Sequence, residues 1–333
     1  MKPRVFVTRR IPDAGLLPLR DACDVALREE ELPPSRDEML DGVRGCDGLL
    51  CLLTDPVDAG VIAAAGPALR VVSLYAVGYD NVDVAAATAA RIPVGNTPGV
   101  LTEATADLAF ALLMAGARRL AEGSRFARDG RWRTWSPTLL LGAAVHGATL
   151  GIIGMGRIGR ALAARARGFS MRVLFCDPSL PDAAIGGATA VPLDVLLAES
   201  DFVSLHAPLD AATRHLIDAR ALAAMKRTAI LVNTARGGLV DHEALADALE
   251  RGVIGGAALD VTEPEPLPPG HRLYALDRCL VVPHLGSATC ATRDEMARMA
   301  AANLLAGVRG ERLPHCINPE VYGGDSFRSV TRP

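Results

Sequence analysis

The stretch Thr149-Leu-Gly-Ile-Ile-Gly-Met-Gly-Arg-Ile-Gly159 reads as an apolar strand over 150–153, a glycine-rich turn, and a helix over 157–167. A Gly-x-Gly-x-x-Gly spacing alone is a weak signal, but between a strand and a helix it has a mechanical meaning. Gly154 permits the tight turn, Gly156 lets the backbone approach a pyrophosphate, and Gly159 lets helix and strand pack closely. Met155, Arg157 and Ile158 complete the loop, and the helix start offers amide donors and a positive dipole end to phosphates. The next strand, 172–176, ends on Asp177. A carboxylate at that offset accepts hydrogen bonds from both ribose hydroxyls and repels a 2′-phosphate. Pro178-Ser-Leu-Pro-Asp182 contains no Arg or Lys to receive such a phosphate. NAD is therefore the expected cofactor, ahead of NADP.

Downstream, a strand over 201–205 leads to His206-Ala207-Pro208, where small residues leave room for a nicotinamide ribose. His206 itself reads as structural, and Thr213 is expected to begin and cap the next helix. Three further apolar runs end on chemically loaded residues. Ala229-Ile-Leu-Val-Asn233 runs into Arg236, Gly256-Ala-Ala-Leu-Asp260-Val261 leads to Glu265, and Cys279-Leu-Val-Val-Pro283 stops at His284. In a parallel α/β sheet the carboxyl ends of the strands share one edge, so these side chains should converge. A guanidinium clamps a carboxylate by paired hydrogen bonds, and a carboxylate beside an imidazole holds its proton. The set suits a proton-coupled reaction on a small carboxylic acid. Glu263, two residues from Glu265, remains its rival on the residues alone.

Upstream, the first hundred residues alternate strands near 5–7, 23–27, 48–53, 70–74 and 92–94 with helices near 12–20, 36–44, 57–64 and 82–90. Repeated βα units indicate a parallel sheet. A long helix is expected over 102–127, apolar on nearly all sides and hence buried, between domains or subunits. Residues 130–145 read as a loop region, and 293–306 as a final helix. The fold class is α/β, with two doubly wound parallel-sheet domains. The cofactor domain, 100–285, is expected as an insertion in a flavodoxin-like substrate domain made of 1–99 and 286–333.

The 333 residues are half hydrophobic, only 4% aromatic, and carry a net charge of −3 without any block of like charge. That composition fits two globular domains and gives no nucleic-acid footprint. Seven cysteines, an odd number without a framework, suggest free thiols in a reducing compartment, and no zinc spacing is present. The N-terminus runs straight into a strand with no signal-peptide core, and the longest apolar stretch, 108–117, falls far short of a membrane span. A soluble cytoplasmic protein is expected, without metal, membrane or nucleic-acid partner.

Gly151-Ile-Ile-Gly-Met-Gly-Arg-Ile-Gly159, Asn233-Thr-Ala-Arg-Gly237, Asp260-Val-Thr-Glu-Pro-Glu265-Pro and Pro283-His284 resemble the D-isomer-specific 2-hydroxyacid dehydrogenases. The resemblance spans nearly the whole chain, including Val77-Gly-Tyr-Asp-Asn81 and Asn96-Thr-Pro-Gly-Val100. It is nearest to the glyoxylate/hydroxypyruvate reductase branch through Val5-Phe-Val-Thr-Arg-Arg10, Trp132-Arg-Thr-Trp135 and His284-Leu-Gly-Ser-Ala-Thr289. It implies that Arg236 holds the substrate carboxylate, that His284 gives a proton to the carbonyl oxygen, and that Glu265, by its register in the motif, keeps His284 protonated. It further implies that amides at Val77 and Gly78 receive the other carboxylate oxygen, that Asp260 and Gly286 lie near the nicotinamide end, and that Thr234 and Ala235 line the cofactor. A homodimer is implied as well, with Trp135 approaching a neighbouring subunit's pocket. That branch includes NADPH enzymes whose second strand lacks an acid, so Asp177 is a departure. The implied activity is hydride transfer between NAD(H) and a short 2-oxo acid, with glyoxylate or hydroxypyruvate leading. Another D-2-hydroxyacid dehydrogenase, an NAD(H)-sensing co-repressor, and oxidation of formate or phosphite are the alternatives.

Overall fold

The computed structural model describes residues 2–180 and 184–323; position 1, positions 181–183 (with Pro181 and Asp182 of the stretch after Asp177) and the last ten positions lie outside the described residues. The chain divides into two compact units, Met1–Leu101 with Thr289–Pro333, and Thr102–Ala288.

In the first unit the elements run β1 (Arg4–Val7), α1 (Asp13–Ala22), β2 (Asp24–Leu27), α2 (Arg36–Val43), β3 (Gly48–Cys51), α3 (Ala59–Ala65), β4 (Val71–Leu74), α4 (Val84–Ala89) and β5 (Val94–Gly95). The strands form one parallel sheet in the order β2-β1-β3-β4-β5. Side chains of β3 and β4 are buried on both faces, which fits their unbroken apolar runs. One face packs on Met39, Val43, Val61 and Ile62 from the helices, the other on Leu16, Leu19 and the C-terminal helix. Short helices start where side chains accept orphan amides: Ser35 and Glu38 make a reciprocal capping box for α2, and Asp58 and Asp83 cap α3 and α4.

The second unit contains α5 (Thr102–Ala117), α6 (Leu120–Arg128), β6 (Thr149–Ile153), α7 (Arg157–Arg167), β7 (Arg172–Cys176), β8 (Ala184–Ile185), β9 (Ala188–Ala190), α8 (Leu193–Glu199), β10 (Phe202–Leu205), α9 (Ala219–Ala224), β11 (Ile230–Asn233), α10 (His242–Glu250), β12 (Gly256–Leu259), α11 (Arg272–Ala275) and β13 (Cys279–Val281). Its sheet has the order β13-β12-β11-β10-β6-β7-β9-β8, parallel except for the β8–β9 hairpin. Apart from β8 and β13, this is the doubly wound dinucleotide-binding order, with its switch point between β6 and β10. The chain then returns to the first unit as α12 (Cys290–Val308).

Two expectations need correction. The helix expected over 102–127 is two helices, α5 and α6, broken where Arg119 takes a φ of +52°. The carbonyl of Ala117 accepts from Ala143 N–H at 2.8 Å instead of from the next helical turn, and the Arg119 guanidinium turns back onto both carboxylate oxygens of Glu122. Within the second unit, α5 buries Ala109, Leu112 and Leu113 against α7, β11 and β12. Thr213 caps no helix: its hydroxyl accepts from Asp210 N–H and donates to the Pro208 carbonyl at 2.7 Å, fixing a turn, while Asp218 caps the next helix, α9.

At the end of β10, His206 Nε2 lies 2.9 Å from Ser204 Oγ. The ring keeps a little solvent-facing surface, but its packing pushes the imidazole from its ordinary 6.5 down to about 4. A folded-state value below the unfolded one means that only the unfolded chain binds this proton as pH falls. The stability is thus full above pH 6.5 and is lost on descent towards about 4. Replacing His206 by Gln should remove on the order of 2 kcal/mol of that acid-induced loss. Urea unfolding at stepped pH reads it directly, and parallel wild-type and variant curves would refute this origin.

Candidate active site

The glycine loop after β6 and the segment after β10 flank the switch point of the second unit's sheet. Gly154 has a φ of +94°, and a Cβ on it would lie 2.7 Å from the Ala207 nitrogen. The loop therefore packs directly onto His206–Ala207 and tolerates no side chain there. Gly156, the N-cap of α7, faces open space, leaving its backbone accessible to a ligand. Met155 is buried, and its N–H donates to Asp177 Oδ2 at 2.9 Å. Arg157 and Ile158 form the first turn of α7, whose unpaired amides face the loop.

Asp177 follows β7 as expected. Burial works against its charge, yet hydrogen bonds from Ser179 and Met155, with Arg160 nearby, outweigh it and hold the carboxyl below its ordinary range. Arg160, on α7, donates from Nε to the Met155 carbonyl at 3.1 Å. Reading the residues after Asp177 missed this cation, because it reaches the acid from the preceding helix.

Further along the same edge, Thr234 Oγ1 is buried without a hydrogen-bond partner among the described residues, and Ala235 N–H is taken by Asn233 Oδ1 at 3.0 Å. An orphaned buried hydroxyl on the same sheet edge as an open glycine loop is what a polar ligand along this edge would satisfy. The residues present thus fit a dinucleotide.

Arg236 stands between β11 and a short helical turn over 237–239, and Asn233 Nδ2 donates to its carbonyl at 2.8 Å. After β13, His284 adopts a φ of +53°, which few residues without a special constraint do. The constraint is Asp260, at the end of β12. Its main-chain carbonyl accepts from His284 N–H at 2.9 Å, and its carboxylate accepts from the N–H groups of Leu285 and Gly286. Burial raises the Asp260 carboxyl above its ordinary value, opposed by those amides and by the nearby His284. The Gly286 amide is spent on Asp260, and its carbonyl accepts from Thr105 Oγ1 at 3.2 Å.

The rival glutamates separate cleanly. Glu265 Oε1 lies 2.6 Å from His284 Nδ1, whereas Glu263 turns to Arg214 at 2.8 Å. An ionised carboxylate can only accept, so Nδ1 carries the hydrogen of this bond and Nε2 takes no part in it. Val77 and Gly78 belong to the first unit, after β4, and are half-buried. Among the described residues, no protein atom accepts from their backbone N–H groups.

No helix of the described residues is long and apolar enough to cross a membrane, and no cluster there could hold a metal ion. Residues 110–286 match the NAD-binding domain of the D-isomer specific 2-hydroxyacid dehydrogenases. A glyoxylate reductase of Korarchaeum cryptofilum is 53% identical over 324 residues, covering 96% of this chain and 97% of that one. A Thermus thermophilus protein of known structure superposes with a TM-score of 0.90 at 49% identity, covering 94% of this chain and 99% of the other. An NADPH-dependent glyoxylate/hydroxypyruvate reductase from Sinorhizobium meliloti does so with a TM-score of 0.82 at 31% identity, covering 95% and 98%. The chain is an NAD(P)-dependent oxidoreductase and belongs to the D-isomer specific 2-hydroxyacid dehydrogenase family.

Proposed function

We propose that the protein reduces glyoxylate, or the similarly small hydroxypyruvate, to the corresponding 2-hydroxy acid with NADH, of D configuration where the product is chiral. The observation that carries the reading is the 2.6 Å contact between Glu265 and His284 at the strand edge that also bears the glycine loop and Arg236. Bound NADH would supply the hydride. Arg236 would pair with the substrate carboxylate, and the Val77 and Gly78 amides would take its other oxygen. His284 would pass the proton from Nε2 to the carbonyl oxygen, converting C=O to C–OH, while Glu265 stabilises the charged ring through Nδ1. Thr234, Ala235, Ala207 and Pro208 would line the nicotinamide half, and the turn held by Thr213 would keep Pro208 in place. Formate oxidation releases carbon dioxide without proton transfer to a carbonyl, so the Glu265–His284 pair favours the 2-oxo acid.

Asp177 supports NAD over NADP, although Arg160 beside it offers a 2′-phosphate some compensation. Exposed Leu120, Trp132, Trp135 and Leu141 crowd one segment of the second unit and support a homodimer formed there, with Trp135 reaching a neighbouring pocket. Seven free thiols suit a reducing cytoplasm.

Steady-state assays of a 2-oxo acid panel with NADH and NADPH in parallel test the reading. Glyoxylate and hydroxypyruvate should lead, and Arg236→Ala should lower kcat/KM by roughly a hundredfold or more, since a carboxylate would lose a charge-assisted partner. Wild-type turnover in Arg236→Ala would remove that assignment. Replacing Asp177 by Ser should shift the NADPH/NADH ratio of kcat/KM upward by about tenfold; an unchanged ratio rejects the ribose contact. Sedimentation should give a dimer that Trp135→Ala with Leu141→Ser weakens, and a monomeric wild type contradicts the proposed interface.

A further inference from the structure

The first unit's sheet reverses its strand order between β1 and β3, and open α/β sheets bind ligands outside the strand ends at such a point. Here that position is occupied by a carboxylate. Asp55 follows β3, belongs to no helix or strand, and is wholly buried. Its Oδ2 accepts from Thr8 Oγ1 at 2.6 Å and Leu52 N–H at 2.8 Å. Its Oδ1 accepts from Arg9 Nη2 at 3.2 Å and Thr54 Oγ1 at 3.3 Å, and Arg9 also donates to the Thr54 hydroxyl. The residues after β1 are thereby tied to those after β3. An ion pair taken out of water is weak grounds for stability, so the cluster calls for another explanation.

That explanation lies in the next loop. Asn81 Nδ2 donates to the Leu52 carbonyl at 3.0 Å and the Asp55 carbonyl at 2.8 Å, and Asn81 O accepts from Val57 N–H at 2.9 Å. Asn81 closes the segment after β4. The other end of that segment is held by Asn96 Nδ2 on the Val77 carbonyl at 2.8 Å and by Thr97 N–H on the Ala76 carbonyl at 2.9 Å. The carbonyls named here are thus pinned, while the N–H groups of Val77 and Gly78, at the start of the same segment, are left without a protein acceptor among the described residues. Unspent donors on a backbone fixed at both ends form a preorganised anion grip.

We propose that Asp55 and Asn81 are positioning residues that hold the Val77–Gly78 amide pair for the substrate carboxylate. This rests on the reading above that those amides receive it. Neither side chain touches substrate: Asp55 fixes the 52–55 turn, and Asn81 transmits that position to the amides.

The test measures oxalate, a non-reacting dicarboxylate, by calorimetry on NADH-loaded protein, alongside glyoxylate kinetics, for Asp55→Asn and Asn81→Ala. Both variants should raise the oxalate Kd and the glyoxylate KM together by about tenfold or more, because a misplacement near 1 Å is costly at a grip. NADH KM should stay within about twofold, since the cofactor residues lie in the other unit. Should Asp55→Asn fail to fold, half-buried Asn81→Ala decides alone. A folded Asn81→Ala with wild-type oxalate Kd and glyoxylate KM overturns the proposal, as does an equal loss for NADH and glyoxylate, which marks a general structural role. A wild type that neither binds oxalate nor reduces glyoxylate overturns the functional reading and this inference together, whereas an active wild type with unaffected variants overturns only the latter.

Discussion

Parallel strand pairing is the constraint on which the rest of the second unit depends. Pairing of β10, β11, β12 and β13 sets Leu205, Asn233, Leu259 and Val281 in one row across the sheet. Neighbouring strands stand about 4.8 Å apart, so whatever follows that row is delivered to one edge. His206, Thr234, Asp260 and Val282 follow immediately, and Arg236 and His284 come within three residues. The same edge receives the glycine loop because β6 pairs with β10 in parallel, Ile153 opposite Leu205. No long-range interaction need bring these groups together one by one. Apolar strands buried on both faces set the register, and the register sets the chemistry.

Within that edge, Asp260 converts a strand end into a defined imidazole position. It accepts three amides from 284–286, one on its carbonyl and two on its carboxylate, and donates its own N–H to the Asn233 carbonyl at 2.8 Å. The left-handed turn at His284 is thereby over-determined, which is how uncommon backbone conformations persist at functional positions. A buried carboxylate that is raised by desolvation but stabilised by amides makes a stiff local scaffold. Glu265 reaches the ring from a separate loop, so the backbone at His284 and its imidazole are held by different residues.

Much of this was legible in the sequence, for specific reasons. The helix 157–167 and the strand 172–176 were read to their ends because glycine punctuation and an apolar run bound them on both sides. Other strands came out a residue or two shorter, since a run such as 48–53 stays apolar after pairing has ended at Cys51. The α5–α6 break was not legible: Arg119 is an ordinary helix former, and the competing donor, Ala143, lies far along the chain. Thr213 failed for a related reason, because Thr serves turns and caps alike. Glu265 and Glu263 could not be separated by residue type, only by register within a family motif; in space Arg214 draws one away. Arg160 escaped notice because proximity to Asp177 arises from helix geometry and not from adjacency. Asp55 carried no sequence signal, since burial of an acid is visible only once its donors are assembled.

The central claim of the proposed function is that Glu265, bonded to Nδ1, holds His284 for proton delivery from Nε2. Its most direct test is kcat/KM for glyoxylate reduction in wild type, Glu265→Gln and Glu263→Gln, with NADH affinity measured in parallel. Gln preserves the shape of the side chain but removes the carboxylate that the ring N–H meets. The account predicts that kcat/KM falls by roughly a hundredfold in Glu265→Gln and stays near the wild-type value in Glu263→Gln, with NADH affinity unchanged in both. Wild-type rates in Glu265→Gln would contradict it.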